Sequence, residues 1–142
     1  MFQHILVAVD GSEASQKAID WAKRTYAELP QAKITFVHVF QPYIPVVAGG
    51  YPGAVLYQPQ NIETPEETPA FLAAAQFEDK ERVTYKNFVG SAGDEICKEA
   101  AESGCDLIVL GSEGHGLVSS VLLGSVSAKV LHHAKCSVLV VR

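Results

Sequence analysis

Residues 4–10, His4-Ile5-Leu6-Val7-Ala8-Val9-Asp10, make a short and nearly continuous apolar run that stops at Gly11-Ser12. A run without polar alternation offers no face to water, so it reads as a strand covered on both sides, as at the centre of a parallel sheet. Ser12 then stands as the N-cap of a helix with Glu13 in its first turn. Ala14, Ala18, Ala22 and Leu29 recur at helical spacing, Ile19 and Tyr26 widen the stripe, and Pro30 ends it. The β-branched and aromatic run Ile34-Thr35-Phe36-Val37-His38-Val39-Phe40, closed by Gln41-Pro42, predicts a second strand. Strand, helix and strand together form a βαβ unit.

Between positions 42 and 69 the pattern lapses. Prolines stand at 42, 45, 52, 59, 65 and 69, with the pair Gly49-Gly50 among them, and residues 42–65 read as a loop. Residues 66–80 predict a crossover helix with Phe71, Leu72, Ala75 and Phe77 on its apolar face and Pro69 as its latest start. Val83–Val89 alternates like a strand near a sheet edge with one wetter face. Gly93-Asp94 opens a third helix, with Ile96, Ala100, Cys97 and Ala101 on one buried side and Gly104 as a left-handed terminator. Asp106–Gly111 is a fourth strand, a last helix runs from about Gly124 through Leu131, and Ser137–Val141 is a fifth strand.

Strands alternating with helices predict one α/β domain over residues 1–142: a doubly wound, five-stranded parallel sheet of order 3-2-1-4-5, with right-handed crossovers and helices on both faces. In such sheets ligands bind at the carboxyl ends of strands where the winding reverses. That point lies here between the first and fourth strands, which end in Asp10-Gly11-Ser12 and Gly111-Ser112-Glu113-Gly114.

Composition narrows the classes of function. A chain of 142 residues with 48% hydrophobic and 19% charged residues suits one globular unit, and no apolar run is long enough to span a membrane. Met1-Phe2-Gln3-His4 enters the first strand with no basic segment before it, so no signal peptide is read and a cytoplasmic location is expected. A net charge of -5 without clustered lysines or arginines speaks against nucleic-acid binding. It also means that any bound phosphate must be held mainly by main-chain amides and a metal ion. Cys97, Cys105 and Cys136 are an odd set spaced unlike a redox pair or zinc knuckle, and are expected as reduced thiols in or near the core.

The chemically informative stretch follows the fourth strand: Gly111-Ser112-Glu113-Gly114-His115-Gly116, then residues 117–123, then Gly124-Ser125-Val126-Ser127 at the start of the last helix. Glycines at a strand end bring N–H groups close to an anion, and a helix N-terminus favours negative charge. Glycine spacing alone is equally compatible with tight turns. Asp10 lacks the second aspartate of a phosphoaspartate hydrolase, and Ser112 lacks the frame of a nucleophile elbow. His4, His38, His132 and His133 read as strand-edge or helix-surface residues. No catalytic residue and no protein-bound metal site is assigned.

The spacing Gly111, two residues, Gly114, nine residues, Gly124-Ser125 resembles the nucleotide-binding signature of the ATP-binding branch of the universal stress protein family. The likeness extends to Ile5–Ser12, Val37-His38-Val39, Asp106–Gly111 and Leu123–Ser127 through Leu131-His132-His133-Ala134, in the family's order. It implies the adenine nucleotide alpha hydrolase-like fold. By the same resemblance, Asp10 and the backbone at Ala8 and Val39 approach adenine and ribose, and Leu110 lines the pocket. Gly111, Gly114 and His115 flank ribose and phosphates, while Gly124, Ser125, Val126 and Ser127 donate to the phosphates, the two serines with hydroxyls as well as amides. ATP or another adenine nucleotide, with Mg2+ or Mn2+ held mainly by the phosphates, is the implied ligand, and a homodimer through residues 137–141 the implied assembly. The implied role is regulatory, in a stress response, through nucleotide-dependent partner binding. The alternatives are a nucleotide-free homodimeric interaction module and a slow ATPase, for which no base, arginine finger or lysine stands at the phosphate site. Glu113 and the proline-rich segment depart from the family's pattern.

Overall fold

The computed structural model describes residues 1–42, 66–112 and 123–142. Along them run β1 (His4–Ala8), α1 (Glu13–Glu28), β2 (Lys33–Phe40), α2 (Pro69–Ala75), β3 (Val83–Val89), α3 (Ala92–Ser103), β4 (Leu107–Gly111), α4 (Ser125–His133) and β5 (Ser137–Val141). From residue 43 on, the expected loop lies outside the described residues. The five strands form one sheet of order β3-β2-β1-β4-β5, parallel at every pairing, as the alternation of elements required.

β1 sits at the centre because its sequence tolerates cover on both faces: Ile5, Leu6 and Val7 are wholly buried. Ile5 is in register with Ile34 on β2 and Leu107 on β4, and Val7 with Phe36 and Val109. Period-two alternation then sorts the side chains into two cores. Ile5, Val7, Val9, Ile34, Phe36, Leu107 and Val109 pack with α1 and α2, through Ala18, Ile19, Ala22, Ala73 and Phe77. Leu6, Val37, Ile108 and Leu110, with Ala8 and Val39 beside them, pack with α3 and α4 through Ala92, Ile96, Ala100 and Val130.

Local signals set the helix ends. Ser12 caps α1 by accepting the Ser15 amide at 3.2 Å, and Thr68 caps α2 in the same way from Phe71. Pro69 occupies the first turn of α2, so the helix starts there rather than at residue 66. Its buried face is Ala70, Ala73 and Ala74, with Phe77 buried just past the helix end; Phe71 is only partly covered, Ala75 is exposed, and Leu72 is 53% exposed. Phe77 is thus buried as expected but lies beyond the helix, which ends at Ala75 rather than at residue 80, and the buried side within the helix is displaced from the expected one. α3 ends at Gly104 in the left-handed region, φ 69°, as expected, while Ala101 faces solvent instead of the core.

Polar side chains fasten the elements at points the hydrophobic pattern does not reveal. The Arg82 guanidinium donates to the carbonyls of Tyr26, Leu29 and Ala32 at 2.9–3.2 Å, and its carbon lies 4.1 Å from the Tyr26 ring centre. It thus closes the C-terminal end of α1, where a cation meets the negative end of the helix dipole. Asp106 accepts the amides of Gln3 and His4 at the amino ends of the strands. Glu99, only 6% exposed, is paired with Lys86 at 2.6 Å.

Candidate functional site

The carboxyl ends of β2, β1 and β4 open together beneath the N-termini of α3 and α4. Val9 extends β1 by one bond, its amide donating to the Val37 carbonyl at 2.9 Å. The chain then turns at Gly11, φ 82°, a conformation an L side chain rarely adopts. The Asp10 carboxylate accepts the Ser12 amide at 2.9 Å, which fixes the turn and holds Asp10 at the strand end.

Gly111 ends β4 against the first turn of α1. A Cβ there would lie 2.5 Å from the Ala14 carbonyl carbon and 2.6 Å from its oxygen, so glycine is what lets β4 and α1 meet. Two hydrogen bonds next pin α4 to this strand end: the Gly124 amide to the Ser112 carbonyl at 2.7 Å, and the Ser127 hydroxyl to the Gly111 carbonyl at 2.8 Å. Gly124 is the N-cap and no side chain caps the helix. The amides of Ser125, Val126 and Ser127 thus have neither an intrahelical acceptor nor a partner among the described residues.

A third set of contacts sets α3 beside α4. Lys129 on α4 reaches Asp94 at 3.0 Å and the Ser91 hydroxyl at 3.3 Å, the latter residue being the N-cap of α3. The hydrogen bond from Lys129 holds the Asp94 carboxyl below the usual carboxylate range. The Gln41 side-chain oxygen accepts the Ala92 amide at 3.1 Å. Between these elements lies a cleft of about 330 Å³.

Its apolar lining comes from the side of the sheet that faces α3 and α4: Ala8, Val37, Val39 and Leu110, joined by Ala92, Ile96 and Val126. Polar groups stand around it at Asp10, Ser15, His38, Gln41, Ser125 and Ser127, and no lysine or arginine is among its described lining residues. The His38 Nδ1 lies 3.1 Å from the Val9 carbonyl oxygen and so donates to it. The arrangement is an apolar cleft with a carboxylate at its middle strand and, at one end, helix amides that have no partner among the described residues. Such a site can hold a planar, uncharged ring and an anionic tail at once.

Of the residues expected at a ligand site, Ala8, Asp10, Val39, Leu110, Gly111, Gly124, Ser125, Val126 and Ser127 all line this cleft. Gly114 and His115, like Glu113, lie outside the described residues. Two donors are engaged within the chain: the Gly124 amide and the Ser127 hydroxyl, both expected to serve phosphates, hold α4 onto β4 instead. Val37, His38, Gln41, Ala92 and Ile96 were not anticipated. The parity of β2 places Val37 on the same side as Val39, a signal present in the sequence, whereas Gln41 lies just past the strand's end at Phe40; the approach of α3 is visible only once the sheet is assembled. Among the described residues no group of three or more His, Cys, Asp or Glu side chains is placed to hold a metal ion.

The cysteines take no part in the cleft. Cys105 is buried, Cys97 and Cys136 are half-buried, and all three are free. Burial raises each thiol above its ordinary pKa.

Comparison with known proteins fits this architecture. The profile of the universal stress protein family matches residues 1–142. The universal stress protein YxiE of Bacillus subtilis is 34% identical over 151 residues, covering all of both chains. A universal stress protein of Thermus aquaticus is 33% identical over 145 residues, again with both chains covered in full. Among solved structures, the hypothetical protein MJ0577 superposes with a TM-score of 0.78 at 25% identity, over 99% of this chain and 96% of that one. A universal stress protein in complex with cAMP superposes with a TM-score of 0.66 at 25% identity, over 99% and 97% of the two chains. With the profile spanning its whole length and relatives aligned from end to end, the chain belongs to the universal stress protein family.

Proposed function

We propose that the cleft binds an adenine nucleotide, ATP in the first instance, and that its occupancy regulates binding of a protein partner in a stress response. One observation carries the reading: an apolar cleft of about 330 Å³ and the amides of Ser125, Val126 and Ser127, which have no partner among the described residues, open into one space at the carboxyl ends of β1 and β4. The slot suits the base, Asp10 suits a ribose hydroxyl, and the amides suit phosphate oxygens. A relative of the same fold is described in complex with cAMP, which supports an adenine-containing ligand.

The described lining supplies no lysine or arginine, so Mg2+ or Mn2+ would neutralise the polyphosphate, held mainly by the phosphates themselves. The described residues at the α4 end of the cleft, Gly124 to Ser127, include no general base, arginine finger or lysine, which favours a binding role over rapid turnover. Gly114 and His115 belong to the same proposal, flanking ribose and phosphates.

We further read β5 as the dimer edge: it pairs with β4 on one side only, and Val138 to Val141 are half-buried. Sedimentation of the purified protein should give twice the chain mass, and a monomer at micromolar concentration would remove this part. The proposed setting is the cytoplasm; no described helix is long and apolar enough to cross a membrane. Mass spectrometry of gently purified, then acid-released material tests the ligand itself. An adenine nucleotide at near-stoichiometric amount is expected, and a protein that neither retains nor takes up any would leave an interaction module of the same fold.

A further inference from the structure

We propose that Gln41 reads the base: its side-chain NH2 donates to an acceptor on the edge of the bound heterocycle. This rests on the nucleotide reading of the cleft and adds a specificity-determining residue to it.

Strand parity comes first. Val37 and Val39 alternate onto the α3 side of β2 and help to floor the cleft; Gln41, one residue past the strand's end at Phe40, lines it beside Ala92. The Ala92 amide at 3.1 Å can only be answered by an oxygen, so the carboxamide has one orientation: Oε1 toward α3, and the NH2 turned from it. A side chain held in this way has already lost much of the rotamer freedom that binding would otherwise cost it.

Position along the cleft decides what those donors meet. The sheet order sets β2 at one end and β4, with α4 beyond it, at the other. If the α4 amides hold the phosphates, the β2 end takes the base. There the neighbours Val37, Val39, Ala92 and Ile96 have no polar side-chain atoms, and the His38 Nδ1 is engaged with the Val9 carbonyl. Among the described residues, Gln41 is thus the side chain at that end able to donate to a ring nitrogen.

Helix capping and base reading can be separated by two substitutions. Gln41→Glu keeps an oxygen for the Ala92 amide and removes the donors, whereas Gln41→Met removes both. Calorimetry with adenosine avoids charge repulsion between the new carboxylate and phosphates; ATP with Mg2+ and inorganic tripolyphosphate complete the set. Both variants should bind adenosine about five-fold more weakly than the unaltered protein, the size of one neutral hydrogen bond. Gln41→Glu should keep its Tm, and Gln41→Met should keep its tripolyphosphate affinity. Undiminished adenosine binding by Gln41→Glu would overturn the proposal and reduce Gln41 to a cap of α3. Absence of ATP binding by the unaltered protein would instead remove the nucleotide reading itself.

Discussion

At the scale of single residues, glycines with similar appearance in the sequence do different things. Gly111 permits contact between main chains, since a Cβ would press on the Ala14 backbone at 2.5 Å, and backbone cannot swing aside as a side-chain end can. Gly111→Ala should therefore cost about 3 kcal/mol of stability, read as a lower urea midpoint. A variant as stable as the unaltered protein would show that α1 gives way freely. Gly124 has φ -70° and ψ 162°, which any residue adopts, so its backbone does not demand glycine. Gly124→Val should lose nucleotide binding, because a branched side chain would stand at the amides of α4. Its circular dichroism should be unchanged, with an N-cap cost of about 1 kcal/mol. Equal ATP affinity in this variant would count against the phosphate end of the account.

The thiols make a residue-scale prediction about pH. Burial raises Cys105, Cys97 and Cys136 in the folded chain, so the unfolded chain ionises first as alkali is added. Their contribution to stability is complete below the ordinary thiol pKa and is lost as pH rises through the raised values. Urea midpoints should fall as pH rises above the ordinary thiol pKa of about 8.5, and fall less in Cys105→Ala. Parallel curves for the two proteins would sink this attribution.

At the scale of elements, the helices are held by polar clasps as much as by their apolar stripes. Arg82 joins the start of β3 to the end of α1 with three charge-assisted hydrogen bonds and a face-on contact with Tyr26. Arg82→Ala should destabilise the protein by about 2–3 kcal/mol. Arg82→Lys should recover little of this, since an ammonium cannot reproduce the planar fork. Full recovery by lysine would show that charge alone matters. Element-scale reading of the sequence failed where pattern is ambiguous. α2, Pro69-Ala70-Phe71-Leu72-Ala73-Ala74-Ala75, is apolar on every side, so periodicity cannot choose which side is buried; the sheet chose Ala70, Ala73 and Ala74. In α1 and β1, where polar residues mark the outer face or are absent altogether, the reading and the structure agree.

At the scale of the whole molecule, the regular exchange of strand and helix sufficed for sheet order, because parallel strands need crossovers and these leave few windings. The cleft was legible for the same reason, as the point where winding reverses between β1 and β4. Its α3 wall was not, since Ala92 and Ile96 lie more than 80 residues from Asp10 in the chain and carry no chemistry that marks them. Nor does sequence reveal that the Gly124 amide and Ser127 hydroxyl are taken up in docking α4 onto β4.

The central claim is that charge on the ligand is answered by main-chain amides of α4 while its ring lies against β2. Titration of 15N-labelled protein with ATP and Mg2+, followed by amide NMR, tests it most directly. The account predicts saturable shifts concentrated at Ser125, Val126 and Ser127 and at Val39, Gln41 and Ala92. Saturable shifts confined to other surfaces, or none at millimolar ATP, would contradict it.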